Sequence, residues 1–267
     1  MSKFHMALKG LVLMMLLQNQ TFALDRFVAI TIDDLPFVGN NRIDRSDLNH
    51  PIDRFTKLMN ALIDNQVPAT GFIIAGSIGK GQWPLLEKFR QAGFSLGNHT
   101  YEHINLNHVG ADRYIKDLDK AEQILNPIMT TPKYFRYPYL AEGRGEDKQV
   151  VIDYLVSHQY TIAPVSIDSK DYKFNEMLLH INWRDRPKRL NGLKASYLAY
   201  INQQINKIEK KHPDGGAEIL LLHANLLNSH CMNDVIQVFK NRGYRFISLD
   251  EALSYRSAHQ QQAAVSN

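Results

Sequence analysis

The feature that most restricts the fold of this chain is an alternation of two hydrophobic periods. Short apolar runs stand at residues 27–32, 69–74, 94–97, 134–137, 161–167, 219–222 and 244–247. Stretches compatible with helix fill the intervals at 52–66, 84–92, 111–129, 147–158, 194–211 and 231–242. In 111–129, Tyr114, Ile115, Leu118, Ala121, Leu125 and Ile128 recur at the spacing of one helix face. Strands joined by helices pair in parallel, because parallel neighbours need a crossover connection. About seven strands, with no Pro/Gly/Ser-rich linker among them, imply a single α/β domain with a barrel-like closure of its parallel sheet. In such folds function gathers at the C-terminal ends of the strands, so the residues after each run carry the information.

Composition narrows the class further. With 44% apolar and 22% charged residues over 267 positions, the chain is an ordinary globular one, not a disordered, collagenous or coiled-coil sequence. Cys231 is the sole cysteine, which excludes an internal disulfide and any multi-cysteine metal site. A net charge of +4 gives no argument for nucleic acid.

Residues 1–23 read as a secretory signal peptide. Lys3 and Lys9 precede the apolar run GLVLMMLL, and Thr21-Phe22-Ala23 places small residues at the −3 and −1 positions. The run is too short to span a bilayer. Cleavage after Ala23 would remove two lysines and no acid, lowering the charge from +4 to +2. The expectation is an exported protein, periplasmic or secreted, with no stable membrane span after cleavage. A folded domain over 24–256 and a polar, disordered tail over 257–267 complete the expected organisation.

Several strand ends carry reactive groups. The first run ends in Asp33-Asp34, adjacent carboxylates that persist more easily when one binds a cation and the other acts as a base. The plain alternative is a turn before Leu35-Pro36. The third ends in a segment holding His99 and His103, four residues apart, which on a helical turn would project two imidazoles toward one metal. The fourth supplies Arg136, able to hold a carboxylate, with Pro138 and Tyr139 behind it. The fifth supplies Asp168, Asp171 and Tyr172, and the sixth ends in His223. Taken singly, His223 reads first as a satisfied core histidine.

Together these ordered groups resemble the signatures of the polysaccharide deacetylases, the family-four carbohydrate esterases with a NodB-like domain. The matching segments are Thr31-Ile32-Asp33-Asp34, His99-x-x-x-His103, Arg136-x-Pro138-Tyr139, Asp168-Ser169-x-Asp171-Tyr172 and Leu220-x-x-His223. They cover roughly residues 26 to 252, and the resemblance implies a distorted (β/α) barrel of seven or eight strands, in agreement with the strand count. The resemblance implies one divalent metal, usually zinc with cobalt or nickel as alternatives, held by Asp34, His99 and His103. It implies Asp33 as general base, Arg136 as its support, the Tyr139 amide as an oxyanion donor, His223 as general acid and Asp171 as the partner of His223. Tyr172 and Leu221 would border the substrate. The implied activity is metal-dependent removal of N-acetyl groups from an amino-sugar polymer or oligomer: peptidoglycan, chitin oligomer or exopolysaccharide. An O-acetyl esterase, a cyclic-amide hydrolase and a non-catalytic glycan-binding relative remain alternatives. Two departures stand out: Ile32 replaces the usual Phe, and Tyr172 the usual Trp, which touches substrate preference more than chemistry.

Other signals are weaker. Gly93-x-Ser95-x-Gly97 has the letters of a serine-hydrolase elbow but the wrong element order around Ser95. Two His and a carboxylate also suit non-haem iron oxygenases, in which an adjacent second Asp has no clear task. Arg184, Arg186, Lys188 and Arg189 form a basic run that reads as a solvated face or as a contact for an anionic glycan.

Overall fold

A computed structural model describes residues 25–37 and 49–265. The expected signal peptide and residues 38–48 lie outside the described residues. Eight strands alternate with nine α-helices in that range: β1 (Asp25–Leu35), α1 (Asn49–Asp64), β2 (Ala69–Ile73), α2 (Trp83–Gln91), β3 (Ser95–Asn98), α3 (Leu106–Val109), α4 (Ala111–Leu125), β4 (Lys133–Phe135), α5 (Gly145–Ser157), β5 (Tyr160–Ile162), β6 (Ile167–Asp168), α6 (Asp171–His180), α7 (Arg186–Lys211), β7 (Gly215–His223), α8 (Leu226–Asn241), β8 (Arg245–Phe246) and α9 (Leu249–Val265). None of the described helices is long and apolar enough to cross a membrane.

All pairings are parallel, in the order β5-β4-β3-β2-β1-β7-β6, with β8 beside the start of β1. The two edge strands, β5 and β6, are consecutive in sequence. Laid flat, seven strands would separate those edges by about 29 Å, at about 4.8 Å per strand. The five steps from Ile162 to Ile167 reach at most about 18 Å. The sheet must therefore curl, and the barrel-like closure expected from the strand–helix alternation results, in the distorted α/β form that the resemblance implies. The run expected as one strand over 161–167 is split, since Pro164 has no N–H to offer and the chain crosses from one edge to the other there.

Alternation along the strands sorts the core. Ala29, Phe72, Tyr134, Ala217 and Ile219 form an interior cluster, joined by Leu249 and Ala252 from α9. Val28, Ile30 and Ile32 join the larger cluster with the surrounding helices. Gly97 is needed inside: a Cβ there would lie 2.7 Å from the Phe72 ring and 2.9 Å from the Tyr134 carbonyl. The helix α4 buries Tyr114, Leu118, Ala121 and Leu125, the stripe read from the sequence. Three elements differ from expectation. Pro187 sits in the first turn of α7, where its missing N–H is harmless, so α7 begins at Arg186 rather than near 194. The helix α6 was not expected. The segment expected as a disordered tail from 257 continues α9 to Val265, in a stretch free of Gly and Pro.

Candidate metal centre and active site

Asp33 and Asp34 close β1. A regular strand sends neighbouring side chains to opposite faces. Alternation takes Asp33 inward, above Ala29 and Thr31, and would send Asp34 out toward the helices. The pairing of β1 with β2 slips between Ile32 and Leu35, and Asp34 adopts φ 66°. This bulge turns both carboxylates into one cleft of about 400 Å³.

The two histidines arrive by a route the sequence did not reveal. Residues 99–105 form no helical turn; Thr100 and His103 have φ of 67° and 57°, and the chain coils back on itself. Local bonds hold this loop. The Asn98 Oδ1 accepts the Thr100 N–H at 2.8 Å, and the Thr100 Oγ1 accepts that of His103 at 3.1 Å. Asp117, buried in α4, accepts the N–H groups of Tyr101 and Glu102 at 2.9 and 3.1 Å. The imidazole rings end 4.9 Å apart.

Ligand-capable atoms of Asp34, His99 and His103 all lie within 4.8 Å of one another. The Asp34 Oδ1 is 3.6 Å from His99 Nε2 and 3.4 Å from His103 Nε2. Tetrahedral zinc with bonds of about 2.0–2.1 Å would separate its ligands by roughly 3.3–3.5 Å. The His99 Nδ1 lies 2.7 Å from the Arg136 carbonyl, an acceptor only, so Nδ1 carries the proton and Nε2 presents a lone pair. Burial pushes His99 down to about 3 despite that bond, and pushes His103 down to about 3 as well, with help from His99. Both rings are therefore neutral near pH 7. Burial raises Asp34 to about 7, and its buried Oδ1 has no hydrogen-bond donor. Acceptors converging on an orphaned carboxylate oxygen fit a cation between them.

Behind this group lies Arg136, 1% exposed, at the end of β4. Its Nη1 faces both oxygens of Asp33, at 3.4 and 3.5 Å. Its Nε donates to the Ala163 carbonyl at 2.6 Å and its Nη2 to Thr31 at 3.1 Å. Burial raises the pKa of Asp33, opposed first by the Arg136 charge.

On the other side His223 ends β7, in register opposite Asp33. The buried Asp171 binds it twice, Oδ1 to the ring Nδ1 at 2.7 Å and Oδ2 to the backbone N–H at 2.8 Å. Asn225 and Asn228 donate to the same Oδ2 at 2.9 and 2.5 Å. Burial alone would lower the pKa of His223; the charge and hydrogen bond of Asp171 outweigh it and raise it to about 10. The Nε2 thus carries a proton at neutral pH.

Tyr139 and Tyr172 border the mouth, 65% and 43% exposed. Tyr139 has φ 59° and its ring packs on His103 at 4.5 Å; Leu140 follows at φ 55°. Two successive left-handed residues that are not glycine cost about 1–2 kcal/mol each, strain of a kind that clusters at functional sites. Leu221 lines the cleft, whereas Leu222 belongs to the core. Ser95 opens β3, at the end of the strand away from the cleft. The sequence reading overlooked Thr31 as a support for Arg136, and also Asp117, Asn225 and Asn228. Asp117 had left a trace: it occupies an apolar-stripe position of α4, between Tyr114 and Leu118.

The polysaccharide deacetylase profile matches residues 23–162, more than half of the chain. The chain belongs to the polysaccharide deacetylase family. This deacetylase-family chain is 32% identical over 149 residues to a peptidoglycan-N-acetylglucosamine deacetylase of Bacillus cereus, covering 55% of this chain and 46% of that protein. It is 26% identical over 197 residues to the peptidoglycan-N-acetylmuramic acid deacetylase PdaA of Bacillus subtilis, covering 74% and 65%. The chain thus spans less than two thirds of either relative. The chitin deacetylase structure from Colletotrichum lindemuthianum superposes with a TM-score of 0.58 at 23% identity, over 85% of this chain and 86% of that one. At that identity the likeness establishes the fold.

Proposed function

We propose that this protein hydrolyses N-acetyl groups on an amino-sugar glycan, using one divalent metal held by Asp34, His99 and His103. The observation that carries the reading is the placement of Asp33 and the Asp171-held His223 at paired strand ends, lining one cleft beside that ligand set. Amide hydrolysis needs an attacking water, a place for negative charge and a proton for the leaving nitrogen. A divalent ion at the ligand set supplies Lewis acidity, polarising a carbonyl and lowering the pKa of water to roughly 7.

This chain's own groups do the rest. Asp33, held by Arg136 through Nη1, accepts the proton of the attacking water. The Tyr139 backbone amide faces the oxyanion. His223, kept cationic by Asp171, delivers its Nε2 proton to the amine. A base and an acid each contribute about 10²–10⁴ in rate. The acetyl methyl faces Leu221, and Tyr172 borders the sugar. The two-His, one-carboxylate donor set favours zinc, with cobalt or nickel as substitutes. An export role, with residues 1–23 as signal peptide, belongs to the same reading, because acetylated wall and matrix glycans lie outside the cytoplasm.

The test is acetate release from N-acetylglucosamine oligomers by metal-stripped protein, before and after zinc, cobalt or nickel is restored. Metal-dependent release is expected. Release that ignores chelation and stops with a serine-directed reagent would overturn the reading.

A further inference from the structure

The helices α6 and α7 form a hairpin whose two ends are tied at the active site. At the base, the Tyr197 hydroxyl donates to Asn228, and Asn228 donates to Asp171. Phe174 packs on Tyr197 and Tyr200, ring centroids 5.3 and 5.9 Å apart. Beyond Tyr197, α7 descends the barrel wall: Ile201 and Ile205 are buried, and Glu209 pairs with Arg26 near the start of β1. Before Tyr197, eleven residues of α7 lead back to the turn after α6; among them Leu193 is buried and Lys194 pairs with Asp234 of α8 at 3.2 Å. At 1.5 Å per residue these eleven extend about 16 Å, matched by about 15 Å for the ten residues of α6. The tip of the hairpin is the turn at residues 181–185, about 15 Å along α6 from Asp171.

That tip is unusual for a solvated turn. Trp183 is 67% exposed, and the Arg184 guanidinium lies 5.1 Å from its ring. Arg184, Lys188 and Arg189 are exposed and form no ion pair among the described residues; one acid, Asp185, stands among them. Arg186 is spent on structure, donating to the carbonyls of Ile181 and Leu179 at 3.0 and 3.1 Å. The cations crowd the first turn of α7, with no acid in that turn and no side-chain cap. Positive charge there opposes the helix dipole, so local stability does not explain it. A flat exposed indole among unpaired cations fits a ligand with both sugar faces and negative charge.

We infer that the tip of the α6–α7 hairpin binds a carboxylate-bearing stretch of the glycan polymer, a few sugar units from the residue being deacetylated. The inference rests on the proposed function for its substrate backbone and adds a class: acidic glycans over neutral ones. At about 8 Å, the screening length of physiological salt is well short of the roughly 15 Å between tip and Asp171. Charge at the tip therefore acts on polymer binding and not on the chemical step.

The experiment compares binding of the wild-type protein, R184E/R189E and W183A to two soluble polymers with one backbone, carboxymethyl chitin and neutral glycol chitin. Turnover of an N-acetylglucosamine tetramer is followed in parallel. Expected for R184E/R189E is a loss of about tenfold or more on carboxymethyl chitin, a shallower salt dependence, and little change on glycol chitin. W183A should weaken both polymers, and tetramer kcat and KM should hold within about twofold for R184E/R189E. Equal carboxymethyl chitin binding by wild type and R184E/R189E overturns the inference. So does an equal loss on the two polymers in the charge-reversal variant, or wild-type preference for phosphatidylglycerol vesicles over carboxymethyl chitin. Wild-type protein inert on every acetylated substrate would count against the proposed function alone, since polymer binding is read without turnover.

Discussion

Asp171 grips His223 at two points, through the ring Nδ1 at 2.7 Å and through the backbone N–H at 2.8 Å. One carboxylate thereby fixes the position, tautomer and charge of the imidazole. Because Asp171 raises the His223 pKa, Asp171→Asn should lower it, and the alkaline limb of the pH–rate profile should move to lower pH. An unmoved limb would show that His223 is not the acid. Stability follows the same sign. With a folded value of about 10 against an ordinary 6.5, His223 stabilises the metal-free fold fully below pH 6.5, and the contribution is lost as pH rises toward 10. Thermal unfolding of metal-stripped wild type should show that decline, and Asp171→Asn should flatten it.

Asp33 and Arg136 form a buried pair, their side chains 4% and 1% exposed. Asp33→Asn should cut kcat by about 10²–10⁴ while leaving metal stoichiometry at one. Arg136→Met should instead leave Asp33 as an uncompensated buried charge and cost about 3–5 kcal/mol of stability. Chemical denaturation separates the two outcomes.

Of the three proposed metal ligands, His99 is the one best oriented by its surroundings, through the Arg136 carbonyl. His99→Ala should weaken zinc by at least about 100-fold, more than loss of an outer support, read by competition with a chromogenic chelator. Zinc at 100 times its Kd should stabilise the wild type by about 2.7 kcal/mol and the variant hardly at all.

Asp117 touches no ligand atom, yet holds the loop between the two histidines by two backbone amides. Asp117→Ala should reduce zinc affinity about 10–100-fold and lower kcat at saturating zinc by less. Stability lost without any change in zinc affinity would mark Asp117 as a support of the fold alone.

Much of the design is legible along the chain. Alternating periods specify the strands and crossover helices, and reading the strand ends finds Asp33, Asp34, His99, His103, Arg136, Asp171 and His223. Less visible were Thr31, Asn225 and Asn228, since small polar residues near strand and helix ends occur everywhere. Their role depends on a carboxylate 54 or more positions away in sequence, or on a guanidinium 105 away.

By itself, then, the sequence determined which elements form and which chemical groups stand at their ends, because hydrophobic period and residue type are local properties. Only the tertiary structure decided how those groups face one another. Strand alternation alone would have sent Asp33 and Asp34 to opposite sides of the sheet; the slip against β2 and the left-handed Asp34 brought them together. Helical spacing alone would have placed His99 and His103 on a helix; a loop anchored by Asp117 from another element brought them to Asp34 instead. Backbone register and side-chain anchoring are settled between distant segments, and no local pattern encodes them.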